Sequence, residues 1–135
     1  MIPWRFLDYV SPSGANLRQQ WYDTQDDEVR AAFDFTVEQL RVTDDWFYPK
    51  DKKVKKKFKI LDGKQAGLGE LRFWTHGRTF RVPGIFRPTD REFVMFGGCE
   101  KQWGGAIHIP ADAFETAQRN RLAYESGQGH TVDYI

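Results

Sequence analysis

The stretch GELRFWTHGRTFRV, Gly69 to Val82, constrains the fold more than any other part of this chain. Two runs of alternating apolar residues flank a His-Gly pair, the pattern of a β-hairpin closed by a two-residue turn. Such a loop sets Thr75 opposite Arg78, Phe73 opposite Phe80, Leu71 opposite Val82, and Arg72 opposite Arg81. Alternation sends Leu71, Phe73, Phe80 and Val82 to one side and Glu70, Arg72, Trp74, Thr79 and Arg81 to the other. Like charges directly across a ladder repel. Either the register slips by one residue, which would exchange the two faces, or an anion belongs between the arginines.

Outside the hairpin the chain reads as a single domain of 135 residues, 1–135, with 40% hydrophobic and 16% aromatic residues to build one core. TrpArgPheLeuAspTyrVal, Trp4 to Val10, reads as a first strand, and residues 15–24 hold a short helix. Residues 24–43 form the clearest helix: Thr24 and Asp27 resemble a capping box, and Val29, Phe33, Val37 and Leu40 share a face. Pro49 breaks the chain after it. Strands are expected over 57–62, in the hairpin, and over 91–98. A last helix starts near Pro110 and ends near Gly127, leaving a tail from about residue 127 that reads as mobile. The fold class is therefore α+β: a small antiparallel sheet, an N-terminal helical pair on one face and a C-terminal helix, with the other face free to bind.

Charge is distributed unevenly. Residues 1–49 carry nine acids and four bases, and residues 110–135 four acids and two bases. Residues 50–109 hold fourteen bases against six acids, a net of +8 in a chain whose total is +1. A basic middle of this kind favours an anionic partner. Its densest part is KDKKVKKKFK, with Lys50, Lys52, Lys53, Lys55, Lys56, Lys57 and Lys59. That run is either a solvated face or a surface that neutralises several phosphates.

The polar face of the hairpin has the same two readings. Arg72 can pair with Glu70 or Asp62 on a solvated sheet face. Alternatively, the guanidiniums bind phosphate bidentately, Trp74 stacks on a base and Glu70 acts as a general base. GGCEKQWGG, Gly97 to Gly105, reads as a glycine-rich loop in which Lys101 and Trp103 add a charge and a stacking surface, or in which Trp103 is buried. His108 is placed either as a general acid or as a structural histidine; His76 is a turn residue and His130 lies in the tail. No metal site or cofactor is expected from this spacing. Cys99 reads as a small buried hydrophobe, and a lone cysteine fits a reducing, cytoplasmic setting. No apolar run approaches the ~20 residues that span a bilayer, and residues 1–10 do not read as a signal peptide.

GLGELRFWTHGRTFRV, then MFGGCEK, then IPADAFETAQRNRLAY, resembles the RelE/ParE toxin superfamily, in particular its HigB-like, phage-derived branch. Members carry a GLxELR strand, a yRv strand, an apolar strand running into lysine-rich sequence, and a closing helix matched here by Ala117, Arg121 and Tyr124. The similarity runs from about Trp21 to Tyr124. Here the family's Lys-Lys pair is Glu100-Lys101. The resemblance implies the toxin of a type II toxin–antitoxin pair, a metal-independent endoribonuclease that cuts mRNA on the ribosome and inhibits translation. By matched position the resemblance implies catalytic roles for Glu70, Arg72, Arg81 and Lys101; His108, read above as a general acid, joins them as a catalytic candidate. Departing from the family, the strong basic patch lies at Lys50, Lys52, Lys53, Lys55, Lys56, Lys57 and Lys59, which with Trp74 and Trp103 are the candidates read above for binding RNA. The partners implied by the resemblance are a cognate antitoxin, the ribosome and mRNA. The alternative within the same fold is a non-catalytic protein that inhibits DNA gyrase or another protein target.

Overall fold

The computed structural model describes residues 1–102 and 107–135. Strand β1 (Arg5–Val10) is followed by helices α1 (Leu17–Asp23) and α2 (Asp27–Arg41). Strands β2 (Phe58–Ile60), β3 (Gly69–Thr75), β4 (Arg78–Arg87), β5 (Glu92–Met95), β6 (Cys99–Gln102) and β7 (Ile107–Ile109) come next. Helix α3 (Ala113–Glu125) and strand β8 (His130–Asp133) complete the order. Among the described residues no helix is long and apolar enough to cross a membrane.

The hairpin forms in the expected register, with Arg72 opposite Arg81 and Phe73 opposite Phe80. His76 and Gly77 both take positive φ, 50° and 74°, the two left-handed positions that match a hairpin turn to the twist of its strands. The expectation of a small antiparallel sheet is corrected. Among the described residues eight strands form one mixed sheet: six follow the order β2-β3-β4-β5-β1-β8, β6 pairs with β4 and β7 with β6, and β1 runs parallel to β5, Leu7 beside Val94. The chain crosses from β1 through α1 and α2 before its parallel partner is made, as any parallel pairing requires.

Alternation assigns the two faces. Phe6, Phe73, Phe80, Val82, Phe93 and Met95 face one core shared with Trp21, Val29, Phe33, Val37 and Leu40 of α1 and α2. Leu7, Tyr9, Val94, Phe96 and Cys99 face the other, which α3 covers through Ala113, Phe114 and Ala117. The second face is therefore not free along its whole length. Asp26, not Thr24, caps α2: its carboxylate accepts from the Val29 N–H at 3.0 Å. Thr24 closes α1 instead, its hydroxyl donating to the Trp21 carbonyl at 2.7 Å. Asp26 wins because it immediately precedes the helix, where its short side chain reaches the third amide.

The tail does not read in the structure as it does in the sequence. β8 pairs antiparallel with β1, and the Tyr134 N–H donates to the Phe6 carbonyl at 2.8 Å. The Tyr134 ring lies 3.9 Å beneath the Arg18 guanidinium, and its hydroxyl donates to Asp34. Tyr22 donates to the same carboxylate at 2.7 Å. Arg18 is itself fully buried and grips Asp8 of β1 twice, Nε to Oδ1 at 2.7 Å and Nη2 to Oδ2 at 2.8 Å. Strand β1, both N-terminal helices and the residue that follows β8 thus meet at one ionic cluster.

The expected loop at Gly97 to Gly105 is in part strand. β6 pairs with the first half of β4 and β5 with the second, both along the edge away from β3. Between them the chain bends at Gly97, φ 146°, and Gly98 lies flat on Trp21, where a Cβ would come within 2.2 Å of the indole. Glycine is needed at that approach. Trp103, expected to stack on a base, lies outside the described residues.

Candidate catalytic cleft

The polar face of the hairpin opens into a cleft of about 400 Å³. Glu70 and Arg72 come from β3 and Arg81 from β4. Lys59 arrives from β2, in register with Glu70. Lys101 and His108 face each other across β6 and β7, and Thr79 of β4 is in register with Lys101. Phe114 and Glu115 of α3, with Leu61 and Gln65, complete the lining. The bend at Gly97 and Gly98 aims β6 back along β4, so that Cys99 lies opposite Arg81 and Lys101 lines the same cleft.

Glu70 is the anion between the paired arginines. Its Oε2 is 2.8 Å from Arg81 Nε and its Oε1 is 3.6 Å from Arg72 Nη2. Glu70 is only 5% exposed and Arg81 8%. Burial raises the Glu70 carboxyl above its ordinary range, against the opposing pull of Arg81 and then Arg72. Burial lowers the Arg81 guanidinium, while Glu70 acts to raise it. Arg81 Nη1 also donates to the Phe80 carbonyl at 3.1 Å. The clamp on Glu70 is incomplete: Oε2 and Arg72 Nε are buried with no aligned hydrogen-bond partner, despite the short approach of Arg81.

His108 is partly exposed, with its ring 4.8 Å from that of Phe114. Burial, then the charges of Lys101 and Arg81, push its pKa down. These influences favour the neutral imidazole, and negative charge beside it would favour the proton-donating form. Cys99 lies under the same site, its thiol pushed up to about 12 by burial and by Glu70, so it stays protonated and is no nucleophile.

The structure brings Glu70, Arg72, Arg81, Lys101, His108 and Lys59 together, and leaves the other lysines outside the cleft. Lys50, Lys52, Lys53, Lys55 and Lys56 are exposed, on a turn anchored by buried Val54 and by Asp51, whose carboxylate accepts from the Lys53 N–H at 2.9 Å. Trp74 lies on the cleft's side of β3, 49% exposed, with Lys57 Nζ 4.9 Å from its ring centre. Sequence reasoning missed the contribution of α3, because nothing in its local pattern points Phe114 and Glu115 at the hairpin. Arg78, at the start of β4, is held by Glu100 at 2.8 Å and Asp26 at 3.3 Å. Comparison with family models, curated proteins and solved structures finds no match for this chain.

Proposed function

We propose that this chain is an endoribonuclease of the RelE-like kind, a toxin that cuts mRNA on the ribosome and is held in check by an antitoxin. The observation that supports this reading is the convergence of Glu70, Arg72, Arg81, Lys101 and His108, drawn from four strands, in one cleft. Phosphate would sit against Arg81 and Arg72, whose forks match its oxygens. Glu70 takes the proton of the ribose 2′-OH, the oxygen attacks the neighbouring phosphorus, and Arg81 stabilises the pentavalent charge. The bond to the 5′ oxygen breaks, and that oxygen takes a proton from His108 or Lys101. The products are a 2′,3′-cyclic phosphate and a 5′-hydroxyl. Trp74 offers an exposed face on which a neighbouring base stacks.

A reconstituted translation reaction tests this. Cuts in ribosome-bound mRNA with cyclic-phosphate and 5′-hydroxyl ends are expected. Folded protein that leaves both ribosome-bound and free RNA whole would overturn the reading. The rate should rise with pH as Glu70 loses its proton, through a range above that of an ordinary carboxyl because its pKa is raised.

The lysine turn carries a separate expectation. Changing Lys52, Lys53, Lys55 and Lys56 together to glutamine should weaken RNA binding and flatten its salt dependence. Each phosphate contact on a single strand contributes about 0.7 to the log–log slope, so the slope should fall by roughly three. A slope that stays unchanged would make the run a solvated face only. Titration of a fluorescent RNA at several salt concentrations reads this directly.

A further inference from the structure

The paired guanidiniums are already occupied by a carboxylate of the same strand. Glu70 reaches Arg81 at 2.8 Å and Arg72 at 3.6 Å, in the place where a phosphate would bind. A carboxylate paired with two guanidiniums is restrained as a proton acceptor, and guanidiniums engaged by a carboxylate are poorer phosphate ligands. Both difficulties have one remedy. We propose that Glu70 is a resident counter-anion that an incoming phosphate displaces from Arg81 and Arg72, and that its displacement is what frees it to accept a proton. The inference deepens the ribonuclease reading and rests on it only in taking that phosphate to belong to RNA.

The surroundings favour exchange over a fixed bridge. Glu70 Oε2 and Arg72 Nε are buried without an aligned hydrogen-bond partner, so the internal pair falls short of satisfying either side. The groups that face Glu70 around the cleft are Lys59 from β2, Arg72 from β3, Arg81 from β4, Cys99 and Lys101 from β6, His108 from β7 and Glu115 from α3. With His108 and Cys99 uncharged, the cations Lys59, Arg72, Arg81 and Lys101 outnumber the carboxylates Glu70 and Glu115 by two. The cleft thus has positive charge left for an added anion. Arg81 and Arg72 also account for the main influences holding the Glu70 carboxyl down against its burial. Engaging both with phosphate removes that restraint and adds negative charge nearby, and each change favours the protonated carboxyl. Binding and base strength are thereby coupled: the carboxylate becomes a stronger base once a phosphate has taken its place on the arginines.

Sulfate, which does not titrate near neutrality, is the probe. The Glu70 side-chain carboxyl is followed by ¹³C NMR through a pH titration of the intact protein, with and without saturating sulfate. Its resonance is assigned by its loss in Glu70→Gln. Sulfate is expected to perturb the Arg81 Nε signal and to move the Glu70 midpoint upward by about one pH unit, the effect of losing a close opposite charge. Glu70→Gln, which removes the competing charge, is expected to bind sulfate about tenfold more tightly, judged by the Arg81 signal. A midpoint that stays put or falls while Arg81 reports bound sulfate would overturn the exchange. Binding to Glu70→Gln no tighter than to wild type would do so too, as would an Arg81 signal indifferent to sulfate. Exchange observed in a protein that never cuts RNA would leave this inference standing and sink the ribonuclease reading; cutting without exchange would do the reverse.

Discussion

Arg81→Ala is expected to lower the rate of RNA cutting about 10²–10³-fold, the usual loss when a preorganised donor to transition-state charge is removed. Three consequences of one deletion act together. The guanidinium that meets the developing charge is gone. The cleft loses its more buried phosphate ligand. Glu70 loses the closest cation holding its carboxyl down, so more of it is protonated and fewer molecules carry a competent base. Because the variant leaves a carboxylate buried without its partner, stability must be read in parallel by urea unfolding. Arg81→Lys keeps the charge but not the two-pronged geometry, and an intermediate loss is expected from it. The measurement is a single-turnover cleavage rate on ribosome-bound mRNA. A well-folded Arg81→Ala protein cutting within a few-fold of wild type would remove the arginine from the chemistry.

The largest effect on stability is expected far from the cleft, at Asp8→Ala. Arg18 has no exposed side-chain surface and its guanidinium is committed to Asp8, Gln19 and the face of Tyr134. Asp8 also accepts from Asn16 Nδ2 at 3.0 Å. Removing the carboxylate strands a positive charge in the interior, a change that typically costs about 3–5 kcal/mol. Domains are stable by only ~5–15 kcal/mol in total, so the variant should unfold at a markedly lower urea concentration. The double change Asp8→Leu with Arg18→Met removes both charges and should recover most of the loss, since a buried pair and an apolar replacement are often close in energy. If Asp8→Ala unfolds within 1 kcal/mol of wild type, water reaches Arg18 and the cluster is not sealed. RNA cutting by the double variant should be unaffected once it is folded.

The hairpin was legible because its information is local. Turn chemistry at His76-Gly77 and two-residue periodicity fix its register without reference to the rest of the chain. From that register alone, the opposed arginines and the carboxylate beside them could be read. What eluded the sequence depends on distant partners. Arg18 reads as an ordinary helix residue until Asp8, ten positions earlier, and Tyr134, near the other end of the sequence, are known to enclose it. The final strand reads as a polar tail because Gly127 and Gly129 suggest irregular chain, whereas both lie at positive φ around the turn that leads into β8. The glycines before β6 mislead in the same way: they mark a bend between two strands along one edge of β4. The lysine run announced itself by composition, yet only register with Glu70 shows that Lys59 belongs to the cleft and its neighbours do not.

The place of β1 in the sheet has a consequence for how the chain is made. Residues 5–10 leave the ribosome well before their sheet neighbours, residues 92–95 on one side and 130–133 on the other. At about 5–20 residues per second, translation takes on the order of ten seconds to supply both. Throughout that interval Phe6, Leu7 and Tyr9 belong to a strand with two open edges, while the hairpin can close within microseconds of emerging. Contacts so distant in sequence make folding slow. Assembly should therefore run from the middle outward, the β3–β4 hairpin first and β1 last.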